Sequence, residues 1–144
     1  LILYHGTGAR RKQSIKRRGL LPKPSSFVFA SPIRLIGVVF AAARSELEDD
    51  FGLLVSFEAE EKWKEDPLFP LSVRSRKSVK PEKIIAMKIV KPDEELKGNE
   101  FLWKLVKSIR LPTGQLELPN VTTRAQFVDA VRSSDSKASS VFSS

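Results

Sequence analysis

Apolar and polar positions fall into short blocks, and the period of each block assigns an element. Leu1-Ile2-Leu3-Tyr4 is a continuous apolar run of strand-forming residues, read as a buried strand. Gly8 to Arg18 carries one main apolar residue, Ile15, among basic ones and is read as a helix, with Gly19 as its terminating glycine and Pro22 blocking its resumption. A loop at 23–26 leads to a short strand, Phe27 to Ala30. Ser31 then caps, and Pro32 opens, a second helix whose Leu35, Ile36, Val38, Val39, Phe40, Ala42 and Ala43 cover most of its circumference, so it should be buried. Glu46, Glu48, Asp49 and Asp50 are read as solvated loop beyond it, with metal binding as the sharper alternative.

Phe51 to Glu60 alternates cleanly: Leu53, Val55, Phe57 and Ala59 on one face, Leu54, Ser56, Glu58 and Glu60 on the other. Trp63 and Pro67-Leu68-Phe69-Pro70 form an irregular connection to a short strand at Leu71 to Arg74. A turn over Lys77 to Lys83 precedes a strand from Ile84 to Val90 with Ile85, Met87 and Ile89 on one face. Amphipathic helices follow at Asn99 to Ile109 and Thr122 to Arg132, with a turn at Pro112-Thr113-Gly114 between them. The Ser-rich tail should be loosely held. The layout is α+β: a core over 1–92, a helical extension packed on it over 93–132, and a tail over 133–144.

Composition narrows the chemistry. A length of 144 residues suits one domain, and 41% hydrophobic residues suffice for a core. With no cysteine and one histidine, disulfides, thiolate nucleophiles, zinc–thiolate sites and multi-histidine metal sites are all excluded. The longest uncharged apolar run, Leu35 to Ala43 broken only by Gly37, is far below the roughly 18 residues of a membrane span. No signal peptide is visible, and a cytoplasmic location is expected. The chain begins at Leu1, so an upstream piece is expected to have been trimmed. A formal net charge of +8 favours anionic partners. The scarcity of Asn, Gln and Met fits a heat-adapted, thermophile protein.

The first strand runs into the only histidine, as Tyr4-His5-Gly6-Thr7. Gly6 lets a backbone approach closely, and Thr7 supplies a hydroxyl. Downstream come Ile15, the turn Gly19-Leu20-Leu21-Pro22 and the corner Phe27-Val28-Phe29-Ala30-Ser31-Pro32. In this order, over about residues 1–90, the set resembles the ADP-ribosyltransferase superfamily, including the RNA 2′-phosphotransferases. "VKPEKI" at 79–84 is similar to its Pro-Glu turn, so Glu82 is read as structural.

The resemblance implies an ADP-ribosyltransferase-like split antiparallel β-sheet core with flanking helices, binding NAD as co-substrate in the cleft. His5 then takes the place of a residue that hydrogen-bonds the adenosine-side ribose, and Gly6 one whose backbone N–H and C=O grip the nicotinamide amide. Thr7 stands beside them. Phe29 replaces a common tyrosine at the nicotinamide ribose, and Phe40 matches a ring that stacks on nicotinamide; core packing is its alternative. Ser31 either touches substrate or caps a helix. Where many relatives place a glutamate, this chain has Pro70-Leu71-Ser72-Val73-Arg74. The resemblance to the RNA 2′-phosphotransferases then implies that His5, Arg74 and Arg76 serve transfer of ADP-ribose to a nucleic acid or an RNA 2′-phosphate, the arginines holding the phosphate. Arg10, Arg11, Lys12, Arg17 and Arg18 are either a phosphate- or RNA-binding face beside the cleft, with the helix N-terminus aimed at a pyrophosphate, or a solvated helix face. The alternatives are a catalytically inactive nucleotide- or nucleic-acid-binding module of the same fold, and a small basic nucleic-acid-binding protein.

Overall fold

In the computed structural model, residues 1–22, 27–60, 63–108, 118 and 120–134 are described. The apolar opening block forms β1 (Ile2–Gly8), which runs four residues past Tyr4 because β3 (Gly52–Glu58) pairs with its whole length, from Ile2↔Glu58 to Gly8↔Gly52. β3 pairs in turn with β6 (Ile84–Val90), giving an antiparallel sheet of order β1-β3-β6. A second antiparallel sheet has the order β2-β5-β4, built from β2 (Val28–Ala30), β4 (Lys64–Glu65) and β5 (Val73–Ser75). An isolated bridge, Tyr4↔Ser31, joins the two sheets. The class is α+β with two small antiparallel sheets, as the alternation of short strand and helix blocks implied.

α2 (Arg34–Glu48) crosses the first sheet on the face formed by Tyr4, Gly6, Gly52 and Leu54. Ile36, Val38 and Val39 are fully buried, so its near-continuous apolar surface is explained by cover on several sides. Against it packs α4 (Glu100–Ser108), and α5 (Val121–Ser134) packs against α4; together they bring Leu102, Leu105, Val106, Phe127 and Val131 into the same core. The opposite face of the first sheet, with Leu3, Leu53, Val55 and Phe57, makes a second core with Ile15, Leu20, Val28, Ala30 and Val79. Ile15 anchors α1 (Lys12–Arg18), which ends at Gly19 with φ 75° as expected. No helix among the described residues is long and apolar enough to cross a membrane.

Several boundaries differ from the sequence reading. The acidic block 46–50 is not all loop: Glu46 and Glu48 lie in α2, which ends at Asp49 in the left-handed region. Ser31 and Pro32 do not open the helix. The Ser31 hydroxyl accepts from Ile33 N–H at 3.0 Å and donates to Leu71 C=O at 2.6 Å, and regular helix begins at Arg34. Ile85 is 57% exposed, since a bulge opposite Ser56 and Phe57 shifts the register of β6 and turns Ile85 out of the expected apolar face. The short pairing at Lys64–Glu65 and the turn of helix α3 (Pro92–Glu95) are additions. The readings for 23–26, 109, 112–114 and 135–144 lie outside the described residues.

Candidate functional site at the parting of the sheets

The site begins with a missing rung. Tyr4 and Ser31 exchange both backbone hydrogen bonds, at 2.8 and 2.9 Å. In a continuing antiparallel ladder the next exchanging pair, two residues on along β1 and two back along β2, is Gly6 with Phe29. That pair does not form, and the bridge stands alone. Instead the His5 imidazole takes the carbonyl that Gly6 N–H would have taken: Nδ1 lies 2.6 Å from Phe29 O. A carbonyl only accepts, so Nδ1 carries the proton in this bond and Nε2 of the neutral ring is left as an acceptor. His5 therefore holds the two sheets together while keeping them one rung apart.

The consequence falls on Gly6. Peptide groups alternate in direction along a strand, so Gly6 N–H and C=O face the same way as those of Tyr4, away from β3. With Phe29 displaced, neither has a partner among the described residues. An N–H donor and a C=O acceptor thus stand side by side on an open edge, a pattern complementary to a primary carboxamide.

Gly6 has a second reason to be glycine. A Cβ there would lie 2.9 Å from Phe40 Cβ and closer still to Gly37 O and Ala41 N of α2. The space that a side chain would use is filled by helix backbone, so the absent Cβ of Gly6 admits α2. Only the Gly6 peptide group faces the opening.

Electrostatics keep His5 neutral. Part of its surface reaches solvent, but the protein around the ring is dense, and desolvation pushes its pKa below the ordinary 6.5. The Phe29 carbonyl works in the opposite direction, and the charges of Arg44 and Arg11 add to the lowering. Arg44 is itself lowered from its usual value, first by burial and then by Arg11, with Glu48 opposing. Arg44 was not singled out from the sequence, and Glu48 only as one of the acidic residues read as solvated loop or metal ligand. The signal was their spacing: Phe40, Arg44 and Glu48 follow at four-residue intervals on one line of α2.

The remaining candidates are distributed around this point. Thr7 is buried, inside β1, opposite Leu53. The expected helix N-terminus beside it is absent, because β1 continues to Gly8 and a 3-10 turn, Ala9–Arg11, precedes α1. The basic set does not form one face. Arg11 donates to Glu48 Oε2 at 3.2 Å and Arg10 to the Glu48 carbonyl at 3.1 Å, whereas Arg17 and Arg18 sit exposed in the last turn of α1, favourable to the helix dipole. Lys12 opens that helix, partly exposed.

Phe40 leaves α2 on the Gly6 side of β1, while His5 leaves β1 on the other side, so they share only the open strand edge. The Phe40 ring packs on Phe69 at 4.8 Å; the Phe29 ring packs on Phe27 at 6.0 Å. Ser31 is fully buried and spends its hydroxyl on Leu71 and Ile33. Arg74 lies directly across from Phe29 in the second sheet, and Arg74 and Arg76 both stack over Phe27, at 4.1 and 5.2 Å from its centroid. Two surface depressions, one lined by Arg34, Glu95 and Asn99 and the other by Glu46, Asp50 and Lys91, have none of His5, Gly6, Phe29, Phe40, Arg74 or Arg76 in their lining. No family model, curated protein or solved structure matches the chain.

Proposed function

We propose that the chain binds NAD at the parting of the sheets and acts as an ADP-ribosyltransferase-like protein on an anionic acceptor. The observation that carries this is the open Gly6 peptide beside a neutral imidazole whose free nitrogen is an acceptor. The Gly6 N–H and C=O pair the carboxamide of nicotinamide, and His5 Nε2 accepts from a ribose hydroxyl. Phe29 and Phe40 contribute aromatic walls from either side of the edge.

Transfer breaks the bond between nicotinamide and its ribose. The electron pair leaves with nicotinamide, the sugar carbon gains oxocarbenium character, and an acceptor oxygen completes the new bond. A carboxylate that deprotonates a hydroxyl is needed when the acceptor is neutral. In the row Phe29–Arg74–Lys64 no carboxylate stands; an acceptor phosphate is already ionised and is held by guanidinium groups. The same feature favours a second reading, nucleotide binding without transfer.

Calorimetric titration with NAD, followed by a nicotinamide-release assay on the same sample, separates these. Binding with release supports transfer, binding without release supports the inactive module, and no heat at millimolar NAD removes both. His5→Ala abolishes the binding heat under either version.

A further inference from the structure

The second sheet has two unlike faces. Its inner face, Val28, Ala30 and Val73, packs into the core with Leu3 and Leu53. Its outer face carries the cross-strand row Phe29, Arg74 and Lys64, set by the pairings Phe29↔Arg74 and Lys64↔Arg74. Phe27 and Arg76, each one residue beyond an end of β2 and β5, lie on the same side, with both guanidinium groups over the Phe27 ring. Phe27, Phe29 and Arg74 are partly exposed, and Lys64 and Arg76 are exposed. No ion pair neutralises Lys64, Arg74 or Arg76 among the described residues, although the same chain pairs Glu48, Glu60, Glu95 and Glu100 with other cations. Glu65, the carboxylate on β4, belongs to the alternate row, opposite Val73.

Aromatic rings and cations alternate here on one sheet face, with three positive charges that no carboxylate among the described residues pairs. Rings and guanidinium planes take the π-faces of unstacked bases, and the cations take the phosphates between them. We propose that this face binds single-stranded nucleic acid and presents it at the parting of the sheets, since Phe29 belongs both to the platform and, through its carbonyl, to the His5 anchor. The proposal names the acceptor class of the NAD-dependent reading and rests on that reading for its purpose. The binding itself is separately measurable.

The test is fluorescence anisotropy with a labelled oligouridylate, an oligothymidylate, a duplex of the same length and an acidic peptide, over a salt series. Single strands bind more tightly than the duplex or the peptide, and three cations on three phosphates give a log–log salt slope of about −2, at about −0.7 per phosphate. Arg74→Ala/Arg76→Ala lowers affinity at least about tenfold and brings the slope to about −0.7. Arg74→Lys/Arg76→Lys restores the slope but not the affinity, because a lysine keeps the charge and loses the stacking plane. A preference for uridylate over thymidylate assigns RNA, and the reverse assigns DNA. Equal binding of duplex, peptide and single strand, or an alanine variant that binds as wild type, overturns the proposal. NAD calorimetry on the same samples keeps the readings apart: NAD heat without strand binding sinks the platform alone, and strand binding without NAD heat sinks the transferase alone.

Discussion

Replacing Gly6 by alanine tests why the strand edge is open. The added methyl would stand 2.9 Å from Phe40 Cβ and nearer still to Gly37 O and Ala41 N. Restoring the roughly 3.5 Å at which carbon pairs are at ease takes about 0.6 Å at Phe40 alone, and the two backbone atoms require more. Neither backbone atom can rotate away. The whole of α2 must lift, and with it Ile36, Val38 and Val39, all fully buried. Overpacking a core costs about 1–3 kcal/mol, and a rigid helix backbone places this case at or above the upper end, about 3 kcal/mol.

Gly37→Ala is the internal comparison. Its methyl meets two side chains, Leu54 Cδ1 at 2.7 Å and Tyr4 Cβ at 2.9 Å, and gains about 1 kcal/mol of helix propensity, so it should cost clearly less. Urea unfolding followed by circular dichroism reads both. The expected result is a large drop in midpoint for Gly6→Ala at unchanged slope and a smaller one for Gly37→Ala. A Gly6→Ala protein with the wild-type midpoint would show that nothing fills the space beside Gly6 and would refute the packing argument.

Three further outcomes follow from the same geometry. His5 is the only histidine and its pKa in the fold is lowered, so the unfolded chain binds its proton first. Its contribution to stability is complete above pH 6.5 and is lost as pH falls below that value toward the folded pKa; His5→Asn should flatten this loss, measured by urea midpoints at pH 7 and below pH 6.5. Glu48→Gln removes the carboxylate shared by Arg10 and Arg11; with Glu48 largely buried and its partners about half exposed, the cost should be about 1–2 kcal/mol, and a higher salt concentration in the melts should shrink it. Ser31→Ala leaves Leu71 C=O and Ile33 N–H without their buried partner and should cost about 1–3 kcal/mol in thermal or urea unfolding.

How much of this was legible in the chain depends on the range of the forces involved. Period-two alternation placed β3, and the apolar girth of α2 announced its burial, because both are local patterns written in successive residues. The end of α2 was hidden: Glu46 and Glu48 read as solvated loop, yet Glu48 is drawn into the fold by arginines 37 and 38 residues away. β4 is two charged residues held only by pairing with β5, and no propensity marks it. At the site, His5 and Gly6 were visible as a pair of unusual residue types. The displaced rung with Phe29 was not, since it depends on how two strands 24 residues apart diverge after a single bridge.

The peptide group of Gly6 can be watched directly. In a 15N-labelled sample titrated with NAD, and separately with nicotinamide, the Gly6 amide should show the largest backbone shift, moving downfield as its N–H gains an acceptor, and His5→Ala should erase the movement. A Gly6 amide that stays fixed while NAD is raised to millimolar concentration, or shifts confined to residues distant from β1 and β2, would contradict a ligand-ready strand edge at the parting of the sheets.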